Sequence, residues 1–185
     1  MSATSAPFGF QPVLHPSGQA NARVYPIATG YAANIFKGDP VLLAAAGVVQ
    51  IGATTGDLLG VFNGVKYVNS SGVPTNSNYW PTGITATEIQ AFVYDDPAIE
   101  YEVQADGSLA LTAVGDQANT GTYAGSTSTG MSATPLSSSL AGAGAQAQWR
   151  IIGFGADAAN AAGDAYTVAR VKLARSQFVY NKVAV

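Results

Sequence analysis

Cysteine is absent from this chain, which removes disulfides and thiolate metal sites from consideration. Histidine occurs once, at His15, so a zinc site would have to be built almost wholly from carboxylates, and no metal or cofactor is expected. Charge is scarce as well. Asp, Glu, Lys and Arg make up 10% of the residues, against about 25% in an average soluble domain. The net charge of −3 argues against nucleic acid as a partner. No apolar run approaches the roughly 18 residues of a membrane helix, so no membrane partner is expected. The opening MSATSAPFGFQPVLHPSG has neither the basic start nor the apolar stretch of a signal peptide. No G-K-[ST] phosphate loop occurs. Gly153-Phe154-Gly155 with Ala158 formally matches a dinucleotide fingerprint, but too little chain follows it for a βαβ unit.

What replaces the missing charge is small: Ala, Gly, Ser and Thr, in a chain that is 48% hydrophobic. Such a surface costs little to desolvate, as suits a subunit packed against others. Helical periodicity of useful length is missing, with at most one turn at 156–162. Strand signals recur instead at 23–28, 39–44, 48–51, 58–67, 88–94, 99–104, 108–113, 146–154 and 165–173, with turn residues between them. The clearest is 99–104, where Ile99, Tyr101 and Val103 alternate with Glu100, Glu102 and Gln104. Asp95-Asp96-Pro97 breaks the strand before it, and Asp106-Gly107 has the chemistry of a hairpin turn after it. The expected fold is all-β, an antiparallel β-sandwich or barrel of jelly-roll type, as one body over 27–185. Residues 1–26, with Pro7, Pro12, Pro16 and Pro26, read as an extended N-terminal arm. Two long connections stand out: 69–83, a polar loop ending in Tyr79-Trp80-Pro81, and 115–145, rich in small residues.

The candidates for chemistry are few. Glu100 and Glu102 share a strand face, placing their carboxyls roughly 7 Å apart, within range of an inverting glycosidase pair. A solvated face is the simpler reading, with both acids opposite Arg170 and Lys172 on a paired strand or across a subunit boundary, the in-chain pairing being the simpler of these. A Ser-His-Asp triad can be built only around His15, which sits in the arm, a poor place for a general base. No catalytic residue is therefore assigned, and the chain is expected not to be an enzyme. The candidate partner contacts are Phe8, Phe10 and Leu14 on the arm, with Tyr79 and Trp80 on the long loop. Trp80 can equally fold back as a lid over its own body. A second functional class is a carbohydrate-binding or adhesive β-module, with Tyr79, Trp80 and Tyr123 as a stacking platform.

Several segments, in consistent order along most of the chain, carry a likeness. They are Phe8-Gly9-Phe10-Gln11-Pro12-Val13 followed by His15, Gly38-Asp39-Pro40-Val41, Leu59-Gly60-Val61-Phe62 and Tyr94-Asp95-Asp96-Pro97. Glu102-Val103-Gln104, Met131-Ser132 to Ser137-Ser138-Ser139, and Ile151-Ile152-Gly153-Phe154 complete the set. In these the chain resembles the capsid decoration, or cement, proteins of tailed bacteriophages. The resemblance implies a non-enzymatic virion structural protein, assembled in the host cytoplasm and carried on the capsid exterior. It also implies the major capsid protein as partner, and self-association, commonly as a homotrimer at threefold or quasi-threefold positions.

Overall fold

A computed structural model describes residues 2–179. The strands, in chain order, are β1 (Gln11–Leu14), β2 (Arg23–Tyr25), β3 (Ile35–Phe36), β4 (Pro40–Leu43) and β5 (Val49–Ile51). There follow β6 (Gly60–Asn69), β7 (Pro74–Ser77), β8 (Tyr79–Trp80), β9 (Ala86–Tyr94) and β10 (Glu100–Gln104). A single 3-10 turn, Leu111–Ala113, precedes β11 (Gln117–Thr120), β12 (Gly125–Ser126), β13 (Met131–Ser132), β14 (Leu136–Leu140), β15 (Trp149–Phe154) and β16 (Val168–Leu173). The fold is all-β, and the named strand pairs are antiparallel, as the alternation of residue types predicts.

Two six-stranded sheets form the body. One runs β1-β10-β16-β15-β11-β14; the other runs β2-β9-β6-β4-β5, with β7 paired to the far half of β6. Two short pairs, β3-β8 and β12-β13, and three isolated parallel bridges, Lys37–Met131, Leu58–Ser176 and Ala105–Leu136, complete the pairing among the described residues. Each sheet has its own core. The first gathers Phe10, Ile99, Tyr101, Val103, Leu136, Trp149, Ile151 and Val171; the second gathers Ile27, Ile35, Val41, Phe62, Val65, Trp80, Ala91 and Val93.

The approach to β6 explains how two cores coexist. Adjacent strand residues point to opposite faces, and here the alternation resets across Gly60. Leu58 and Val61 enter the first core while Leu59 and Phe62 enter the second. That is why 58–62 reads as an unbroken apolar run instead of an alternating one. Gly60 between them is required by crowding, since a Cβ there would lie 2.0 Å from the Tyr94 carbonyl oxygen.

Three local expectations are corrected. Residues 108–113 form no strand; they carry the 3-10 turn. The two edges of β10 are taken by β1 and β16, so a hairpin partner after Asp106-Gly107 has nowhere to pair. The connection 69–83 is not a bare loop but holds β7 and β8, with Asn69 Oδ1 accepting the Ser71 and Val73 amides at 3.0 Å each to close the β6–β7 turn. Residues 2–26, expected as an extended arm apart from a body over 27–185, pair into both sheets of that body. They supply an edge strand to each sheet, β1 to the first and β2 to the second.

Candidate functional site

The five expected contact residues separate into two groups. Phe10 has no exposed surface and stacks on Trp149 with ring centroids 4.3 Å apart, while Tyr101 meets the same indole edge-on at 5.6 Å. Trp80 is also fully buried, edge-on to Tyr67 at 5.7 Å, and its cross-strand partner is Ile35 of β3. Both are core residues of this chain and are withdrawn as partner anchors; large aromatic rings that find an interior site bury their area there. Phe8 is half-buried and lines a cleft of about 550 Å³ with Pro7, Ala124, Thr129 and Met131. Tyr79 is half-buried and stacks on Phe36 at 5.6 Å. Leu14 alone of the five stands well exposed, at 51%, beside Val13 at 42% on the edge strand β1. The sugar-stacking platform of Tyr79, Trp80 and Tyr123 does not form. Trp80 is internal, and Tyr123 turns its hydroxyl inward to donate to the Pro40 carbonyl at 3.1 Å.

Four of the acidic residues pair with Arg or Lys within the chain. Glu100 and Glu102 stand in register with Lys172 and Arg170 across β10 and β16, at 3.1 and 2.9 Å. This is the cross-strand pairing that the sequence pattern predicts. Asp57 meets Arg175 at 2.8 Å. Asp95, almost fully buried, accepts the Tyr25 hydroxyl at 2.5 Å and lies 3.3 Å from Arg23 Nη1. Burial, and then the hydrogen bond to Asp95, push the Tyr25 phenol up to about 12.

One constellation was only partly legible beforehand. His15 Nδ1 lies 2.6 Å from Ser17 Oγ, and Nε2 lies 3.1 Å from Asp96 Oδ2, so serine, histidine and aspartate follow one another at the mouth of a 250 Å³ cleft. The Ala98 amide, followed by His15, holds the Asp96 carboxyl below its ordinary range. The Ser17 amide donates to Nδ1 at 3.1 Å, which makes Nδ1 the acceptor and leaves the ring hydrogen on Nε2, toward Asp96. Acyl transfer also needs backbone donors aimed at a developing oxyanion. The Ser17 amide is spent on His15 Nδ1 and the Gly18 amide on the His15 carbonyl at 2.8 Å. These bonds make a closed turn and clasp β1 to the 95–98 turn. The His15-Pro16-Ser17-Gly18 turn sequence was the available signal for Ser17; Asp96, the other partner of His15, lies too far along the chain to be inferred.

A second buried group escaped sequence reading. Asp39 has no exposed surface, and its Oδ1 accepts from Ser132 Oγ at 2.6 Å and Thr134 Oγ1 at 2.8 Å, while Oδ2 accepts the Phe36 amide at 2.8 Å. Burial raises its pKa, and the three hydrogen bonds pull it back. No group of three or more His, Asp or Glu side chains placed to hold a metal occurs among the described residues. No helix among them is long and apolar enough to cross a membrane. Comparison with protein families, with curated proteins and with solved structures returns no match to this chain.

Proposed function

We propose that this chain is a capsid decoration protein, binding the outside of a tailed-phage head and holding neighbouring copies of the major capsid protein together without chemistry of its own. The observation that carries the reading is the state of the two N-terminal edge strands. β1 and β2 end their respective sheets, and they carry Val13, Leu14 and Val24 at 42%, 51% and 53% exposure. Exposed aliphatic side chains on rigid sheet edges suit docking against a protein surface. Pro12 within β1 and Pro16 just beyond it limit open-ended strand addition, so the contact runs through side chains and not through a growing sheet. The intrachain pairing of Asp39, Asp95, Glu100 and Glu102 supports the same reading, because it leaves few charges to be desolvated on docking. The segmental likeness to decoration proteins adds to it.

Several weak contacts per particle combine through multivalency, which raises avidity by about 10²-fold. Preferential binding to the expanded lattice then stabilises that lattice by linkage. Self-association as a homotrimer belongs to the same proposal, since a closed ring presents three edges at once.

The test is quantitative binding to undecorated heads, together with mass spectrometry of purified virions. Wild-type protein is expected to saturate the heads. Leu14→Asp combined with Val24→Asp is expected to lower occupancy by about tenfold, with an unchanged fold by circular dichroism. Absence of the chain from virions, or full occupancy by the doubly charged variant, overturns the proposal.

A further inference from the structure

We propose that the outward face of the second sheet holds a groove for an uncharged pyranose sugar, independent of the capsid reading. Ala91 and Val93 of β9 enter the second core, so Phe92 between them faces the other way. Its half-buried ring lines a groove of about 290 Å³ together with Asn63, Gly64, Asn76, Ser77 and Asn78. The floor is Gly64. It has φ +128°, a conformation that side chains rarely adopt, and a Cβ there would come within 3.0 Å of the Ser77 carbonyl oxygen. The β6–β9 register slips between Phe62 and Gly64, which opens a step in the sheet where a flat surface would otherwise run.

The chemistry of the lining selects the ligand. Among the described residues, the side-chain amides of Asn63 and Asn76 make no hydrogen bond, and the Asn78 amide reaches only the Thr129 carbonyl at 3.5 Å. The groove therefore presents amide donors and acceptors beside one aromatic face. A pyranose has the matching surfaces: vicinal hydroxyls that both give and take hydrogen bonds, and an axial C–H face that packs on a ring. No charged side chain lines the groove; Lys66, opposite Asn76, is the nearest in register. An ionic ligand would find no counter-charge within it.

The probes are uncharged hexose and N-acetylhexosamine mono- to tetrasaccharides, screened on an array and titrated by calorimetry. Surface polysaccharide from intact cells serves as a second arm, to separate free from attached sugar. Saturable binding is expected for at least one probe in either arm, weakened about tenfold by Phe92→Ala and about fivefold by Asn63→Ala or Asn76→Ala. Val73→Ala, at the distant β6–β7 turn, is expected to bind as wild type. If Phe92→Ala fails to fold, the two asparagine variants carry the test. No binding in either arm at about 10 mM sugar, or binding that the groove substitutions leave unchanged, overturns the proposal.

Discussion

A carboxylate without exposed surface is costly unless donors fill its oxygens, and Asp39 shows how far this chain goes to fill them. Its donors Ser132 and Thr134 lie 93 and 95 residues away in sequence, and the third is the Phe36 amide three residues back. Nothing in Gly38-Asp39-Pro40 distinguishes it from an ordinary exposed turn, because the information sits in residues that only the fold brings near. Phe10 was misread for the same reason, and of the two alternatives for Trp80 the inward one holds. An aromatic ring on a Pro-rich segment or a polar connection looks surplus until a pocket elsewhere accepts it, and here Trp149 and Tyr67 supply that pocket. Asp39→Ala is expected to strand two hydroxyls and an amide, lowering stability by about 3 kcal/mol or more in urea unfolding. Asp39→Asn keeps the volume but turns an N–H₂ toward a donor, and is expected to cost roughly 1–3 kcal/mol. An unchanged urea midpoint for Asp39→Ala would mean that the network contributes nothing to stability.

Among the elements, β10 and β16 were the most legible. Alternating acids on one strand and alternating bases on the other fix both the exposed faces and the register, and Glu100 and Glu102 meet Lys172 and Arg170 as the pattern requires. The predicted strand over 146–154 begins later, at Trp149. Gln148 is fully buried and spends its side chain on the Thr120 amide and the Ala53 carbonyl, at 2.9 Å each. Alternation cannot report a polar residue that faces inward with its bonds satisfied. At the β2–β9 joint the Tyr25–Asp95 hydrogen bond gives a pH signature. Tyr25 titrates ordinarily near 10 and in the folded chain near 12, so the folded state holds that proton more tightly. The stabilisation is fully present below about pH 10 and is lost as pH rises through about 12. Burial also raises Tyr67, Tyr94, Tyr101 and Tyr123, so phenolate absorbance is expected to lose in Tyr25→Phe only the component near 12, with less alkaline loss of stability between pH 10 and 12 in the variant. Equal alkaline unfolding of both proteins would assign the loss to other groups.

For the molecule as a whole, residues 2–25 matter most, since they are where expectation and structure differ most. Ser2 donates to the Ala159 carbonyl and to Asp164, and the buried Gln104 side chain holds the Thr4 carbonyl and the Ala6 amide at 3.0 and 2.7 Å. Phe10 then enters the first core, and β1 and β2 close one edge of each sheet. An arm held only by a partner would detach without harm to the body; a segment that fills a core would not. Burial of Phe10 alone is worth roughly 3–5 kcal/mol, against a total stability of about 5–15 kcal/mol for a domain. Deleting residues 2–14 is therefore expected to abolish cooperative unfolding in calorimetry, whereas Leu14→Ala, on the exposed edge, is expected to stay within about 0.5 kcal/mol of wild type. A shortened chain that melts like the intact one would mean that these residues act on partners alone. Loss of the transition in the shortened chain, with a normal transition in Leu14→Ala, separates the two duties of this segment: Phe10 and the backbone of β1 belong to folding, and the outward side chains of the edge strands are left for contact.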